Sequence, residues 1–302
     1  IKYHDVSAQI DRREITPERT LTGLSRFIAG FAKKMLLANP AGEVADKVFA
    51  LAAGALDFRI AWLGAVCYTL QIYFDFSGYS DMAIGLGKLF GFDFAENFNL
   101  PYVSRSIREF WRRWHISLSS WFRDYLYIPL GGNRRGKART SLHKFIVFFS
   151  TGLWHGANWT FVLWGLWHGL FALLEDANLI PQRLRRSRLG QVYTLLVVTL
   201  GFVLFRADTL AGGWQMISQM FTGFAVTPAH TLTLCGLLDG RTVFLLLAAA
   251  LFALGVPQRL AVRVDTLPVR GVLHTVWYAA LFALSVMALA SAAFNPFIYF
   301  QF

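Results

Sequence analysis

The sequence predicts an all-α, polytopic integral membrane protein, and three observations carry that prediction. Of its 302 residues, 55% are hydrophobic and only 16% are charged, where soluble domains carry about 25% charged residues. Several stretches run longer than a membrane span without a single Asp, Glu, Lys or Arg. The formal net charge of +11 is not spread along the chain but gathered beside those stretches. Two cysteines in the whole sequence exclude a disulfide scaffold, and the apolar surplus, 28 Phe and 10 Trp among it, excludes disorder.

The charge can be placed first. Residues 105–144 hold ten Lys/Arg against Glu109 and Asp124, and the segment RLRRSR at 183–188 adds four more. Such clusters have two common readings, a nucleic-acid footprint or the Lys/Arg bias of cytoplasmic loops next to membrane helices. Both clusters abut long uncharged runs, which decides for the loops, so no nucleic acid is expected. The basic loops 131–144 and 181–190 are therefore placed in the cytoplasm.

In chain order, residues 1–20 are polar, as in an interhelical loop, and the chain begins with Ile. It reads as the C-terminal part of something longer, without secretory signal features. Residues 24–38 and 44–56 are amphipathic. A span needs roughly 20 apolar residues, and the candidates are 60–74, 145–174, 189–205, 242–257 and 271–294. Residues 209–238 are uncharged but rich in Gly and Thr, with Pro228, and read as interfacial or re-entrant. Cys67 and Cys235 both lie in apolar stretches and read as buried free thiols.

The run 145–174, FIVFFSTGLWHGANWTFVLWGLWHGLFALL, carries no acid or base other than histidine. As one helix it would measure about 45 Å, against a hydrocarbon thickness of about 30 Å. Basic clusters on both sides want both of its ends in the cytoplasm. A break at Gly156-Ala157-Asn158 satisfies both constraints and leaves His155 near mid-bilayer depth. The pentapeptide Gly-Leu-Trp-His-Gly occurs at 152–156 and again at 165–169, and each copy is a GxxxG that lets helices approach closely. His155 and His168 thus lie in the most apolar part of the chain. A satisfied core histidine and a functional one are both open readings, and the membrane setting moves the balance towards function.

Residues 104–131 read as one amphipathic helix opened by Ser104 or Ser106 and closed at Pro129. Trp114, Leu118, Trp121 and Tyr125 make its apolar stripe, with Arg108, Arg112, His115 and Ser119 on an adjacent face. Arg108 and Arg112 either meet lipid phosphates or attract an anionic substrate, with His115 beside them. Gly131-Gly132-Asn133-Arg134-Arg135 makes a turn and a basic loop, a second place for phosphate to dock. Upstream, Asp75 follows a hydrophobic span directly and is expected to pair with an Arg, for example one from 105–113, a structural ion pair being favoured over catalysis. G-x-S-x-G, H-E-x-x-H, Walker A and CxxC patterns are missing, and no metal site is expected.

The stretch YFDFSGYSDMAIGLGKLFGFDFAENFNLPYVSRSIREFWRRWHISLSSWFRDYLYIPLGGNRRG, followed by GLWHGANWTFVLWGLWHG, closely resembles the membrane-bound O-acyltransferase family. Within it the match is to the bacterial alginate O-acetylase-like branch, continuous from about Ile60 to Leu174. The resemblance implies a helical membrane fold enclosing a tunnel-type active site, with residues 1–302 as the C-terminal portion of a single catalytic domain, the N-terminal helices missing, and 60–174 as its core. It implies that His155 is the catalytic histidine and His115 a second one on the same cavity. Asn158, Trp154, Trp111, Arg108, Arg112 and Asp75 are then expected to line the tunnel or bind substrate.

The activity so implied is transfer of an acetyl group to a polysaccharide hydroxyl in a bacterial inner membrane, the chain being multi-pass and surrounded by lipid. The donor would be acetyl-CoA or an acylated carrier from the cytoplasm, with no bound cofactor. The acceptor would be an alginate-like exopolysaccharide or a periplasmic acetyltransferase partner that completes the transfer. D-alanyl transfer, acetylation of peptidoglycan or cellulose, a transporter and a non-catalytic subunit of a polysaccharide-export complex are the rivals. A transporter often shows inverted repeats, and the 13-residue recurrence of GLWHG is too short for one.

Overall fold

Helix follows helix along the chain. The computed structural model describes residues 2–259, 270–291 and 297, and no strand occurs among the described residues. Helices α1 (Tyr3–Ile10), α2 (Pro17–Ala32) and α3 (Asn39–Phe49) open the chain, α2 passing into α3 through a π-helical turn at Lys33–Ala38. After them come α4 (Phe58–Leu89), the short α5 (Ile107–Arg113) and α6 (Ile116–Phe122), then α7 (Lys137–His155) and α8 (Trp159–Asp176). The remainder comprises α9 (Gln182–Arg185), α10 (Arg188–Arg206), α11 (Leu210–Thr222), α12 (Pro228–Leu237), α13 (Gly240–Ala253) and α14 (Arg270–Ser291). Two compact units result, one from Ile1–Gly42, Leu70–Phe98 and Arg241–Gln301, the other from Glu43–Thr69 and Asn99–Gly240.

By length and apolarity, α10 and the stretch Gly271–Ser291 of α14 can each cross a membrane. The pair α12 and α13, bent by 72° at its junction, makes a third candidate as a broken span or re-entrant loop. The expected spans 189–205 and 271–294 therefore correspond to α10 and α14, with 292–294 outside the described residues. The expected span 242–257 is one arm of the bent pair, and 60–74 is the first half of the longer α4. Cys67 is buried as expected, but Cys235 is exposed, because α12 turns most of its side chains outward.

The first unit is organised by glycine. An added Cβ at Gly30 would lie 2.7 Å from the Met82 amide nitrogen, and one at Gly23 would lie 2.8 Å from the Gly85 carbonyl. The seven-residue spacing of Gly23 and Gly30 on α2 matches that of Gly78 and Gly85 on α4, so the two backbones touch along two helical turns. That contact brings carboxylates on α4 to cations on α2. Asp81 takes the Arg26 guanidinium at 2.6 Å and the Lys33 ammonium at 2.6 Å. Asp75 pairs with Lys34, both side chains buried. The partner found is therefore not the expected Arg from 105–113 but Lys34, which the π-helical turn places on the carboxylate.

The second unit holds the long apolar run as a hairpin. Helices α7 and α8 are joined by Gly156-Ala157-Asn158, where the expected break falls, and Gly156 has φ +154°. The arms run antiparallel. Gly152 lies against the Phe161 carbonyl, a built Cβ coming within 2.6 Å of it, while Gly165 faces the Phe148 carbonyl and the Gly152 backbone. Gly169 meets the Phe148 side chain. The glycines of the two pentapeptides are therefore the surface on which one arm packs upon the other, and Lys144 reaches Asp176 at the base. α7 starts at Lys137 and has 19 residues, about 28 Å of rise.

The buried helix α10 backs this hairpin. Trp167 Nε1 donates to the Val197 carbonyl at 2.8 Å, and Tyr68 packs on Phe202. Replacing Gly152 with Val should lower the unfolding free energy by about 1–3 kcal/mol, since the new methyl groups meet backbone that cannot yield. Gly236→Ala, where nothing lies within 4 Å of a built Cβ, should leave stability unchanged or raise it by up to about 1 kcal/mol. Thermal denaturation of the detergent-purified protein reads both.

Candidate active site

The tip of the hairpin carries His155 as the last residue of α7. Its imidazole is caged by aromatic rings: Trp154 at 4.8 Å between centroids, Trp164 at 5.0 Å, Phe205 at 5.1 Å and Phe161 at 6.4 Å. It makes no hydrogen bond among the described residues, so packing alone sets the plane of the ring. The cage draws on α7, α8 and α10 together. Trp164 and Phe205 contact one another at 5.1 Å, so the wall is continuous from one helix to the next.

His115 enters from a break in the chain. The single helix expected over 104–131 does not form. Ser106 does cap α5, accepting from the Glu109 amide at 3.0 Å, but α5 stops at Arg113 and His115 takes φ +44° before α6 begins. A non-glycine residue in that left-handed region costs about 1–3 kcal/mol and persists only where its surroundings hold it. Periodicity misread the segment because Trp114 is buried against Phe110, Tyr102 and Phe202, whereas Trp121 and Tyr125 pair with each other on the surface. The break swings His115 inward, where it is 8% exposed. Its ring lies 6.4 Å from the Trp154 ring. Trp154 therefore touches both histidines, and the structure brings together the three residues His115, Trp154 and His155.

Trp111 lies deeper, against Phe148, Trp164 and His168. His168 is fully buried, stacked on Phe110 at 6.0 Å and edge-on to Trp164 at 5.4 Å. Neither of its ring nitrogens has a hydrogen-bond partner among the described residues. Its Nε2 abuts Gly201, where a built Cβ would come within 2.8 Å, so only a glycine at 201 leaves room for the ring.

Asn158 is engaged at both ends of its amide. Its Oδ1 accepts from the Thr160 amide at 3.1 Å and caps α8, while Nδ2 donates to the Asp208 carbonyl at 3.2 Å. It ties the tip to the loop after α10. Arg112 is exposed. Arg108 pairs with Asp176, which also takes Lys144. Asp75 belongs to the other unit.

Two acids that sequence reasoning passed over hold this arrangement. Glu175, 1% exposed, accepts from the Ile107 amide at 2.7 Å and the Arg108 amide at 3.2 Å. It supplies from α8 the acceptors that the first turn of α5 lacks, fixing the helix that leads to His115. The signal was present as the only acidic pair closing the 145–174 run, Glu175-Asp176. No group of three or more His, Cys, Asp and Glu side chains able to hold a metal occurs among the described residues.

The basic surface lies around the start of α5 and of α7. Tyr127 donates to Asn133 Oδ1 at 2.5 Å, and His143 Nδ1 lies 3.0 Å from the Gly132 carbonyl, which folds the Gly131-Gly132-Asn133 turn back on the chain. Burial pushes the Tyr127 phenol above its usual value, with the nearby Arg108 charge acting the other way. Arg112, Arg134, Arg135, Lys137 and Arg139 form no ion pair among the described residues and face outward.

Residues 18–205 match the model of the membrane-bound O-acyltransferase family. The probable alginate O-acetylase of Azotobacter vinelandii is 42% identical over 336 residues, covering 100% of this chain and 66% of its own length. The peptidoglycan O-acetyltransferase of Helicobacter pylori is 40% identical over 212 residues, covering 69% of the chain and 40% of its own length. The teichoic acid D-alanyltransferase of Streptococcus thermophilus is 33% identical over 207 residues, covering 59% of the chain and 50% of its own length. The chain thus spans a little under two thirds of the length of the first of these relatives. With a family model matched over more than half its residues, the chain belongs to the membrane-bound O-acyltransferase family.

Proposed function

We propose that this chain carries the reaction centre of a multi-pass enzyme of the bacterial inner membrane that moves an acetyl group from a cytoplasmic thioester to an exopolysaccharide hydroxyl. The observation that carries the reading is the pair of histidines, His155 and His115, gathered on Trp154 inside an aromatic enclosure. The Azotobacter vinelandii relative, named as a probable alginate O-acetylase, supports an alginate-like acceptor, because it matches the chain from end to end. The peptidoglycan and D-alanyl relatives match less of it. A periplasmic partner that accepts the acetyl group and completes the transfer fits the same chemistry.

In this reading His155 removes the proton from the acceptor hydroxyl as its oxygen attacks the thioester carbonyl. The carbon–sulfur bond then breaks, and the imidazolium returns the proton to the departing thiolate. The aromatic walls keep water from the thioester, which would otherwise be hydrolysed. Stabilisation of the oxyanion falls to His115, since the amide of Asn158 already serves Thr160 and Asp208. The donor is acetyl-CoA or an acylated carrier, drawn by the basic surface.

Replacing His155 with Ala in the full-length protein should abolish polymer acetylation while leaving the protein in the membrane; mass spectrometry of the polysaccharide reads the acetyl content. Acetylation that persists in that variant would overturn the assignment and favour a non-catalytic subunit. His115→Ala should lower kcat by about 10²–10³, the range seen when an oxyanion donor is removed. His115→Asn should recover part of that loss, because Asn tolerates the left-handed backbone and keeps an N–H donor.

A further inference from the structure

At the base of the hairpin, two cations converge on one carboxylate. Asp176 places Oδ1 on the Arg108 guanidinium and Oδ2 on the Lys144 ammonium. The three side chains are partly open to solvent, with 50% of Arg108, 25% of Lys144 and 21% of Asp176 exposed. The cluster keeps a net positive charge, and the outward-facing cations of 112 and 134–139 add to it. Asp176 is also the last residue of α8, where a negative charge opposes the helix dipole. Its neighbour Glu175 is committed to the amides of α5, whereas among the described residues Asp176 is held by the two cations.

A carboxylate bridging an Arg and a Lys has the shape of one edge of a phosphate group, with two oxygens each facing a cation. A phosphate ester presents the same edge, with two anionic oxygens free to face one cation each, so it can replace the carboxylate on that pair. Arg108 lies near the start of α5 and His115 just past its end, about a dozen ångströms further along the chain. An elongated donor with its anionic head on Arg108 would run along α5 towards His115 and Trp154.

We propose that Arg108 and Lys144 form the seat for the phosphate of a pantetheine-type thioester donor, and that Asp176 occupies this seat until the phosphate displaces it. The proposal rests on the acyl-transfer reading for the identity of the donor, not for the existence of the anion seat. The phosphate belongs either to free coenzyme A or to a phosphopantetheine arm on a carrier protein, and the chemistry at the seat is the same.

Binding, read without turnover, tests it. The full-length protein in nanodiscs is titrated calorimetrically with 4′-phosphopantetheine, with pantetheine and with coenzyme A. Arg108→Gln and Lys144→Gln should each weaken phosphopantetheine binding about tenfold, the loss of one charge-assisted contact. Asp176→Asn should tighten it several-fold, and pantetheine binding should be unaffected by all three. The opposite sign for Asp176→Asn cannot arise from misfolding. Coenzyme A binding more tightly than phosphopantetheine would name the free nucleotide donor, and equal binding would favour the carrier arm. Wild-type protein that does not distinguish phosphopantetheine from pantetheine, or Asp176→Asn and Arg108→Gln shifts of the same sign, would overturn the proposal. So would unchanged phosphopantetheine binding in Arg108→Gln alongside a loss of co-purifying anionic lipid, which would mark a headgroup site. A phosphate-dependent result in a protein that fails to acetylate would sink the proposed reaction and leave the seat standing.

Discussion

Everything around His155 depends on how closely α7 and α8 approach. Gly152 and Gly165 leave no side chain between the arms, so the hairpin closes backbone to backbone, with the Lys144–Asp176 pair at its base. That closeness dictates what surrounds His155. The indole of Trp164 can lie against the imidazole only because the arm bearing it is pressed to the arm bearing His155. It also brings Lys144 and Asp176 level at the other end. One contact surface therefore sets both the aromatic cage of His155 and the charged base of the hairpin.

The second element of the site comes from strain. α5 is anchored at its start by Glu175 and stopped at its end by the left-handed turn at His115. Both ends are defined by groups outside the helix itself, which has seven residues and could not stand alone. The free energy stored in the turn is repaid by the packing of Trp114, Phe110 and Phe202 beneath it. The imidazole of His115 is thereby delivered to Trp154 by a backbone that has no freedom to withdraw it.

How much of this was legible in the amino-acid order differs by element. The break at Gly156-Ala157-Asn158 and the packing role of the repeated glycines were legible, because a length limit, a charge asymmetry and a GxxxG spacing all pointed to one place. The identity of His155 and His115 came from motif resemblance, and the geometry that joins them through Trp154 was not readable from spacing. The aromatic-arginine segment was misread as one helix because its periodicity is good on both sides of His115, and nothing local announces a left-handed residue there. Partners distant in sequence were the least visible. Lys34 for Asp75 and Glu175 for the start of α5 are separated from their partners by 41 and 68 residues, and only the folded chain chooses among several candidate charges.

Asn158 has a mechanical consequence. Its amide fastens the hairpin tip to the carbonyl of Asp208, and further along the same helix Trp167 fastens α8 to the carbonyl of Val197 on α10. Two rivets on one seam forbid sliding: α8 cannot shift by a turn along α10 without shearing both. The height of His155 within the bundle is therefore gauged once, at folding. What lies open beside it is a side chain rather than a helix: the half-exposed Trp154, wedged between the two histidines.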